Sequence, residues 1–346
     1  MHLLKKYDLN SIKENFTGEF PNYSNLLKKI ENNKKVIIIC GPTCTGKSKI
    51  AINLASIFKT DVVSVDSMQI YKGMDIGTDK YNVNKYNIKQ HMIDIFDPDH
   101  CVTVVEFRDI CRNIIKNEYF SKKKIPILVG GSGLYIRGVV DDLEFIPESN
   151  EAIRSKLKNN IKKYGLLKYC EELKNIDPIY SSIISENDER RIIRALEVYK
   201  ITGKPFSSFQ SKWKNRKSIY DCIFIGIKTE KNKLYKNIDE RVDKMFDMGL
   251  VEEVIALVRK GYGDCYSLKQ AVGYKEVLEF LKGSINIDQC IQKVKKNTKK
   301  LAKKQMTWFK SDNRIKWITA DNYDNILDLI KYILLIIESS NENDKN

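Results

Sequence analysis

The sequence has few of the residues that build metal centres and disulfide frameworks. It contains three histidines, and its eight cysteines are scattered without a Cys-x-x-Cys pair, so we expect no zinc site. No secretory leader precedes the cysteines, and reduced thiols in a cytoplasm-like compartment are therefore expected. The chain also lacks an apolar run of about 18 residues, which argues against a membrane-spanning helix.

Residues 1–35 form an N-terminal extension for which the sequence indicates no role. This segment contains the acids Asp8, Glu14 and Glu19 but no arginine, and such a composition makes a poor organellar transit peptide. We expect a cytoplasmic protein, with an organellar address as the alternative.

The charge balance is strongly basic. The 346 residues include 60 Lys and Arg against 45 Asp and Glu, a formal net charge of +15. This excess favours a polyanionic partner, nucleic acid before an anionic membrane. The alternative is compositional drift, because the chain is also rich in the Lys, Asn and Ile that AT-biased genomes produce. With 42% hydrophobic and 30% charged residues, the composition is that of a soluble globular protein. We also expect that the protein is a monomer and has no membrane partner.

The most informative stretch is an apolar strand, Val36–Cys40, that runs directly into a G-x-x-x-x-G-K-S motif. Backbone N–H groups of such a loop wrap phosphate oxygens, and the following helix points its positive N-terminus at them. The motif lysine adds a full charge, and the serine hydroxyl can ligate Mg²⁺. The motif is typical of nucleotide-binding and ATP-binding proteins, and it predicts a diphosphate site without specifying the diphosphate. Its residues are Gly41, Pro42, Thr43, Cys44, Thr45, Gly46, Lys47 and Ser48.

The order of predicted elements indicates an α/β fold. Strands at Val36–Cys40, Asp61–Asp66 and Ile125–Val129 are each followed by a helical or glycine-rich segment, and a short strand is predicted at His91–Ile95. Such βα units imply a parallel sheet with ligands at the carboxyl ends of the strands. We therefore predict a P-loop NTPase-like parallel sheet flanked by helices, together with an all-helical insertion domain.

Composition also predicts the domain boundaries. The core would be discontinuous, comprising 36–145 and 204–320, with later strands at Cys222–Ile227 and Arg314–Ile318. The insertion, 146–203, has no strand candidate. A C-terminal helix and tail would occupy 321–346.

An acid and a glycine-rich turn follow two of the strands. Asp66 ends the strand after the P-loop helix, where a carboxylate can ligate Mg²⁺ through water or accept a proton from a nucleophile. Val129 is followed by Gly130-Gly131-Ser132, at the place where many ATPases carry an acid. The missing acid weakens an ATPase interpretation, whereas the glycines and the Ser132 hydroxyl allow close approach of a ligand.

Two basic segments are candidates for binding phosphates. Arg190, Arg191 and Arg194 share one side of a predicted helix, and arginine forks match phosphate geometry. A solvated face with Glu197 as ion-pair partner is an equally good interpretation. Lysines crowd the helix Ile291–Lys310, which ends near Trp308 and Phe309. This pattern suits RNA backbone and bases, with a solvated charged face as the alternative.

Several strings resemble the family of tRNA dimethylallyltransferases, in order from about residue 36 to 318. They are the P-loop itself, Asp66-Ser-Met-Gln-Ile-Tyr-Lys-Gly-Met-Asp-Ile-Gly-Thr78, Leu128-Val-Gly-Gly-Ser-Gly-Leu-Tyr135, Arg194-Ala-Leu-Glu-Val-Tyr199, Gln270-Ala-Val-Gly-Tyr-Lys-Glu276 and Leu301-Ala-Lys-Lys-Gln-Met-Thr-Trp308. The resemblance implies transfer of a dimethylallyl group from dimethylallyl diphosphate to N6 of the adenosine just 3′ of the anticodon, in tRNAs that read U-starting codons, with release of diphosphate.

The resemblance also implies roles for individual residues. Lys47, Asp66 and Ser132 would be catalytic. Mg²⁺ would be held by Ser48, with Asp66 reaching it through water, and the diphosphate would be bound by the P-loop with Arg191 and Arg194. The insertion would grip the anticodon stem-loop. The tRNA would be bound by Asp66, Ser67, Met68, Gln69, Ser132, Arg154, Arg190, Arg191, Ile192, Ile193, Arg194, Gln270, Ala271, Val272, Gly273, Tyr274 and Lys275.

The chain departs modestly from the family pattern. Ser132 replaces a frequent threonine, Tyr81 replaces a usual proline, and lysines stand at 299 and 304 where arginine is common. Three other classes of protein share part of the pattern: a nucleoside or small-molecule kinase, an adenylate isopentenyltransferase acting on free nucleotide, and a non-catalytic RNA-binding protein.

Overall fold

A six-stranded, wholly parallel sheet forms the centre of the first of two compact units. The computed structural model describes residues 34–81, 87–143, 150–209 and 216–342, so all but the last two residues of the predicted extension lie outside it. The first unit comprises the described residues up to Val140 and from Tyr220 onward, and the second is Asp141–Ile219. The strand order is β3-β2-β4-β1-β5-β6. The strands are β1 (Val36–Cys40), β2 (Val62–Ser64), β3 (Gln90–His91), β4 (Ile127–Gly130), β5 (Cys222–Lys228) and β6 (Lys316–Thr319).

Helices cover both faces of the sheet and make up most of the second unit. In the described part of the chain they are α1 (Lys47–Phe58), α2 (Val104–Ile114), α3 (Gly133–Val140), α4 (Glu151–Tyr164), α5 (Leu166–Ile176), α6 (Pro178–Ser181), α7 (Glu189–Thr202), α8 (Phe206–Phe209), α9 (Lys231–Asp247), α10 (Leu250–Arg259), α11 (Tyr266–Gln270), α12 (Tyr274–Leu281), α13 (Ile287–Lys310) and α14 (Ile326–Glu342). A π-helical turn, Ile115–Tyr119, and a 3₁₀ turn extend α2. No described helix combines the length and apolar character needed to cross a membrane.

The central strand shows why the sheet is buried on both faces. All five residues of β1 are buried, and alternate side chains enter two different cores. Ile37 and Ile39 pack with residues of α1 and α14, whereas Ile38 lies with residues of α2 and α13. A strand that is covered on both sides needs a continuous apolar run, and β1 provides one.

The predicted strands are present, but several bounds differ. The strand predicted at Asp61–Asp66 is shorter in the structure, as is the one predicted at His91–Ile95. In the latter, Met92 and Asp94 adopt positive φ angles of 63° and 55°. A left-handed conformation interrupts an extended strand, so β3 ends at His91. Thr103 caps α2, because its side chain accepts a hydrogen bond from the Glu106 N–H.

The described residues of the second unit are helical, apart from an isolated β-bridge between Asp141 and Ser218. Its bounds are wider at both ends than the predicted insertion, 146–203. It has its own apolar core, to which α4, α5 and α7 contribute. Asp177 caps α6, and Gly203 ends α7 in the left-handed conformation. The terminal helix α14 packs on the sheet of the first unit rather than forming a separate segment.

Candidate active site

The G-x-x-x-x-G-K-S segment forms a tight loop between β1 and α1. Gly41, Cys44 and Gly46 have φ angles of 136°, 62° and 85°, and successive N–H groups in such a turn create an anion-binding concavity. A Cβ at Gly41 would lie 2.3 Å from the Ile227 carbonyl oxygen. Glycine is therefore required where β1 leaves the sheet beside β5. The loop has the geometry that its sequence predicts for binding phosphate.

Lys47 lies folded across this loop. Its Nζ donates a hydrogen bond to the Pro42 carbonyl oxygen, to which the Thr45 hydroxyl also donates, at 2.9 Å. Burial of the ammonium group lowers the pKa of Lys47 to about 8. The lysine is thus charged at neutral pH but poorly solvated, and a bound phosphate would supply the negative charge that it lacks.

Arg241 of α9 brings a second cation to the loop, and sequence reasoning missed it. Its Nη1 donates to the Thr43 hydroxyl at 2.6 Å and lies 3.4 Å from an Asp79 carboxylate oxygen. Its buried Nε has no hydrogen-bond partner among the described residues. A donor of this kind beside a phosphate loop is suited to an anion. No motif marks Arg241, which lies in an ordinary amphipathic helix.

The end of α13 packs against the loop and the glycine-rich turn. The Gln305 Oε1 accepts a hydrogen bond from the Thr43 N–H at 2.9 Å. A Cβ at Gly133 would lie 2.0 Å from Trp308, so the indole covers that glycine. Phe309 is buried in the core. Burial therefore removes Phe309 from the predicted RNA-binding pair, whereas Trp308 covers Gly133 and is still 40% exposed, so its contact with RNA stays a prediction.

Asp66 and Ser132 meet at the carboxyl ends of adjacent strands. In the register, Ser64 of β2 lies opposite Val129 of β4, and β4 pairs in turn with β1. The Ser132 hydroxyl accepts from the Ser67 N–H at 3.4 Å. Asp66 is half-buried, and its Oδ1 accepts from the Met68 N–H at 2.8 Å. Sheet topology thus places the carboxylate, the hydroxyl and the P-loop along three neighbouring strands.

The loop that follows Asp66 is tied down by internal hydrogen bonds. The Gln69 Oε1 accepts from the Ser64 hydroxyl at 2.6 Å, and its Nε2 donates to the Thr78 carbonyl at 2.9 Å. The side chain of Gln69 therefore spans the loop from one end to the other. Both polar atoms of the Gln69 side chain form hydrogen bonds that stabilise the loop. The sequence had predicted that Gln69 contacts the tRNA.

A glutamate on α10 holds the middle of the same loop. The Glu253 carboxylate accepts hydrogen bonds from the N–H groups of Ile76, at 2.8 Å, and Asp75, at 3.2 Å. It also accepts from the Tyr274 hydroxyl at 2.6 Å. A Cβ at Gly77 would lie 2.3 Å from the Tyr274 ring, so this glycine is required for the packing. Sequence reasoning did not identify Glu253.

Comparison with known proteins agrees with this arrangement. The sequence profile described as IPP transferase matches residues 69–312, and one described as Isopentenyl transferase matches residues 34–93. The chain belongs to the IPP transferase family. It is 42% identical to the tRNA dimethylallyltransferase of Syntrophomonas wolfei over 306 residues, which cover 88% of this chain and 97% of the relative. As a member of this family, it is a transferase that prenylates tRNA.

Solved structures of IPP transferases share the fold. The full-length tRNA isopentenylpyrophosphate transferase of Bacillus halodurans aligns with a TM-score of 0.64 at 34% identity, over 90% of this chain and all of that protein. A eukaryotic dimethylallyltransferase acting on tRNA aligns with a TM-score of 0.69 at 28% identity, over 83% of this chain and 75% of that one. The sheet and its P-loop are therefore of the P-loop NTPase-like type, as the sequence predicted.

The arginines assigned to the second unit of this IPP transferase are not equivalent. Arg154 and Arg194 both contact Oε2 of Glu197, at 3.0 and 2.8 Å, and this glutamate is completely buried. Arg190 and Arg191 are exposed. A buried carboxylate needs such partners, so the ion-pair interpretation holds for Arg194, and Arg154, which the sequence assigned to tRNA, binds the same carboxylate. Of the exposed pair, Arg191 forms an ion pair with Asp188 at 3.2 Å, and Arg190 is the more accessible to a phosphate.

Burial also revises the predicted tRNA contacts. Ile192 and Ile193 belong to the core of the second unit, and Tyr274 is buried within the first. We therefore no longer assign these three side chains to the tRNA surface. Ala271 and Gly273 are buried as well, whereas Val272 and Lys275 are half-buried and Gln270 is exposed.

Proposed function

We propose that this chain transfers a dimethylallyl group from dimethylallyl diphosphate to N6 of the adenosine immediately 3′ of the anticodon in tRNAs that read U-starting codons, releasing diphosphate. Membership of the IPP transferase family supports the class of reaction. The observation that carries the proposal is the juxtaposition of a phosphate loop with a half-buried Asp66, on a sheet whose β4 is followed by Gly131 and Ser132 rather than by an acid.

The phosphate loop would hold the diphosphate as a leaving group. Backbone N–H groups, Lys47 and Arg241 would stabilise its charge as the bond between allylic carbon and oxygen breaks. The half-buried hydroxyl of Ser48 and the carboxylate of Asp66 are oxygen donors of the kind that Mg²⁺ prefers. Mg²⁺ bound there would neutralise part of the diphosphate charge. The described residues contain no cluster of three or more metal-binding side chains, so phosphate and water would complete the ligand set.

Asp66 would accept the proton of the attacking amine. Exocyclic adenine nitrogen is a weak nucleophile, so a carboxylate within reach helps it to form the new carbon–nitrogen bond. Ser132 would hydrogen-bond the amine or the edge of the base. The adenosine must leave its stack to reach these groups. Ser67, Met68 and Gln270 would contact the tRNA from the first unit, and Arg190 and Arg191 from the second.

The experiment that tests this assignment compares Asp66→Ala with Asp97→Ala, which removes an exposed acid elsewhere in the same unit. We expect Asp66→Ala to abolish prenyl transfer while leaving tRNA binding nearly unchanged, and Asp97→Ala to affect neither. Mass spectrometry of the tRNA nucleosides measures N6-isopentenyl-adenosine directly. Turnover by Asp66→Ala within about tenfold of the wild-type rate would contradict the role of proton acceptor.

A second experiment separates this reaction from its alternatives. Labelled ATP should give no transfer of its γ-phosphate, whereas labelled dimethylallyl diphosphate should transfer its allyl group to tRNA in preference to AMP. Transfer of phosphate would support a kinase, and a preference for AMP would support an adenylate isopentenyltransferase. Lys47→Ala should raise the KM for the prenyl donor more than the KM for tRNA.

A further inference from the structure

One ion pair joins the phosphate loop to the loop that follows Asp66. We call residues 66–80 the acceptor loop, because Asp66 would serve the acceptor adenosine. The Asp79 carboxylate Oδ2 lies 3.4 Å from Nη1 of Arg241, and the same nitrogen donates to the Thr43 hydroxyl at 2.6 Å. The Asp79 side chain is 63% exposed, whereas that of Arg241 is 22% exposed. Arg241 therefore lies between the two loops, with an exposed carboxylate on the side of the acceptor loop.

The backbone of the acceptor loop holds Asp79 in a left-handed conformation, with a φ angle of 55°. Its N–H donates to the Ile76 carbonyl at 3.1 Å, and its own carbonyl accepts from Gln69 Nε2 at 3.4 Å. Asp and Asn adopt this conformation more readily than most non-glycine residues. Because these contacts use the backbone of Asp79, its carboxylate can leave Arg241 by rotation of the side chain while the loop stays folded.

Arg241 can bind more acceptors than the protein gives it. Its contacts within the described residues, to Thr43, Asp79 and the Cys44 sulfur, all use Nη1, and its buried Nε has no hydrogen-bond partner there. A guanidinium has five N–H donors in a planar fork. Burial opposes the charge of this group, yet the pKa of Arg241 is raised, chiefly by the Asp79 carboxylate. Asp79 is therefore the principal negative charge beside Arg241 in the absence of a diphosphate.

A diphosphate and the Asp79 carboxylate would compete for the same cation. Both are anions, so they repel each other when both lie near the guanidinium. By linkage, the carboxylate must lower the affinity for diphosphate by the same factor by which bound diphosphate weakens the ion pair. An exposed ion pair contributes little to stability. The competition is therefore mild, so that the donor can displace the carboxylate and the carboxylate can return as diphosphate leaves.

Release of the product gives this competition a function. The contacts that stabilise a diphosphate as it departs from carbon also retain it afterwards, and product release limits the rate of many enzymes. We propose that Asp79 competes with diphosphate for Arg241 and thereby weakens retention of the released diphosphate at the donor site. The inference rests on the proposed function and deepens it. Asp79 is a positioning residue, because it acts through Arg241 and not on the reacting atoms.

The test uses the full chain with Asp79→Asn, which removes the charge and keeps a residue that tolerates the left-handed backbone. The matched control is Asp97→Asn in the same unit, because the Asp97 carboxylate is 54% exposed and also lies 3.4 Å from a cation, Lys72. Isothermal titration calorimetry with inorganic diphosphate and Mg²⁺ measures the Kd. Steady-state kinetics measure the inhibition constant of diphosphate against the prenyl donor, and thermal melting establishes that each variant is folded.

We expect Asp79→Asn to bind inorganic diphosphate about 3- to 10-fold more tightly, since an exposed ion pair and a repulsion of similar size are both removed. The inhibition constant of diphosphate and the KM for dimethylallyl diphosphate should fall by similar factors, and the KM for tRNA should change less than about twofold. In an Arg241→Gln background, Asp79→Asn should tighten diphosphate binding by less than about twofold, because the cation that the two anions share is absent.

Diphosphate affinity in Asp79→Asn that equals the wild-type affinity or is weaker would overturn the proposal. So would equal tightening in Asp97→Asn, because the effect would then follow net charge alone. Full tightening in the Arg241→Gln background would also overturn it, since Asp79 would then not act through Arg241. Failure of the wild-type protein to prenylate tRNA would refute the proposed function, whereas the calorimetry with inorganic diphosphate would still decide whether Asp79 competes for Arg241.

Discussion

Replacing Glu253 with alanine should release the loop that carries Asp66. The carboxylate accepts from the N–H groups of Asp75 and Ile76 and from the Tyr274 hydroxyl, and these contacts join the loop to α10 and α12. Without these contacts, the N–H groups of Asp75 and Ile76 form hydrogen bonds with water instead, and the Tyr274 hydroxyl loses its acceptor. The loop should open locally before the rest of the unit unfolds.

The magnitude follows from the two shorter contacts. The Ile76 N–H lies 2.8 Å and the Tyr274 hydroxyl 2.6 Å from the carboxylate. A hydrogen bond to a charged group contributes about 1.5–3 kcal/mol, and the half-exposed carboxylate lowers that figure. We therefore expect the free energy of unfolding to fall by about 3 kcal/mol in Glu253→Ala, and by less in Glu253→Gln, which keeps one acceptor oxygen.

Hydrogen exchange and kinetics measure the two consequences. The amides of Asp75 and Ile76 should exchange at least tenfold faster in Glu253→Ala, while the amides of β1 should change less. Because the loop would present the acceptor adenosine to Asp66, kcat should also fall, and the KM for the prenyl donor should change little. Urea denaturation gives the loss of stability.

Glu252→Ala is the matched control. Both glutamates lie in the first turn of α10, so both substitutions remove the same favourable interaction with the helix dipole. Only Glu253 contacts the loop. Unchanged amide exchange in Glu253→Ala, or equal effects of the two substitutions, would refute the role that we assign to Glu253.

Three further substitutions or conditions test separate parts of the structure. Because burial lowers the pKa of Lys47 to about 8, its charge is lost as pH rises through that value, and the KM for the donor should then rise about tenfold per pH unit. Gly133→Ala should displace Trp308, which lies 2.0 Å from the added Cβ, and destabilise the protein by about 1–3 kcal/mol. Asp177→Ala removes a helix cap and the acceptor of the Ser207 N–H, and should cost the second unit about 2–4 kcal/mol.

Each of these expectations has a clear contrary result. A donor KM that stays flat from pH 7 to 10 would show that Lys47 does not hold the diphosphate through its charge. An unaltered tryptophan emission spectrum in Gly133→Ala would show that the indole does not cover the glycine. Asp177→Asn should retain more stability than Asp177→Ala, and equal losses would contradict the capping role.

Short-range patterns predicted the parts of the fold whose causes are local. The P-loop follows from glycines, a lysine and an apolar strand within thirteen residues, and the Thr103 and Asp177 caps follow from side chains that bond three positions along the chain. Such interactions are encoded where they act. Local patterns predicted the elements and their order. They did not predict the end of β3, where Met92 adopts a left-handed backbone conformation.

The supports of the site could not be predicted in the same way. Thr43 contacts Arg241 and Gln305, which lie 198 and 262 positions later in the sequence. Ile76 contacts Glu253, which lies 177 positions later. No local pattern distinguishes these side chains from other residues of amphipathic helices. Tyr274 shows the opposite error. It lies in a family string and was assigned to tRNA, yet the fold buries it as a support for the loop.

The helix α13 has an apolar face and an exposed basic face. Cys290, Val294 and Ala302 form the apolar seam, as the solvated-face interpretation requires. Lys296, Lys300 and Lys303 are exposed, and Gln305 reaches the phosphate loop. Gln305 and the exposed lysines can be tested separately, because substituting one leaves the other in place. Substitution of Gln305 should therefore raise the KM for the prenyl donor, whereas substitution of the lysines should raise the KM for tRNA. A single variant that raised both equally would mean that the helix acts only by holding the fold.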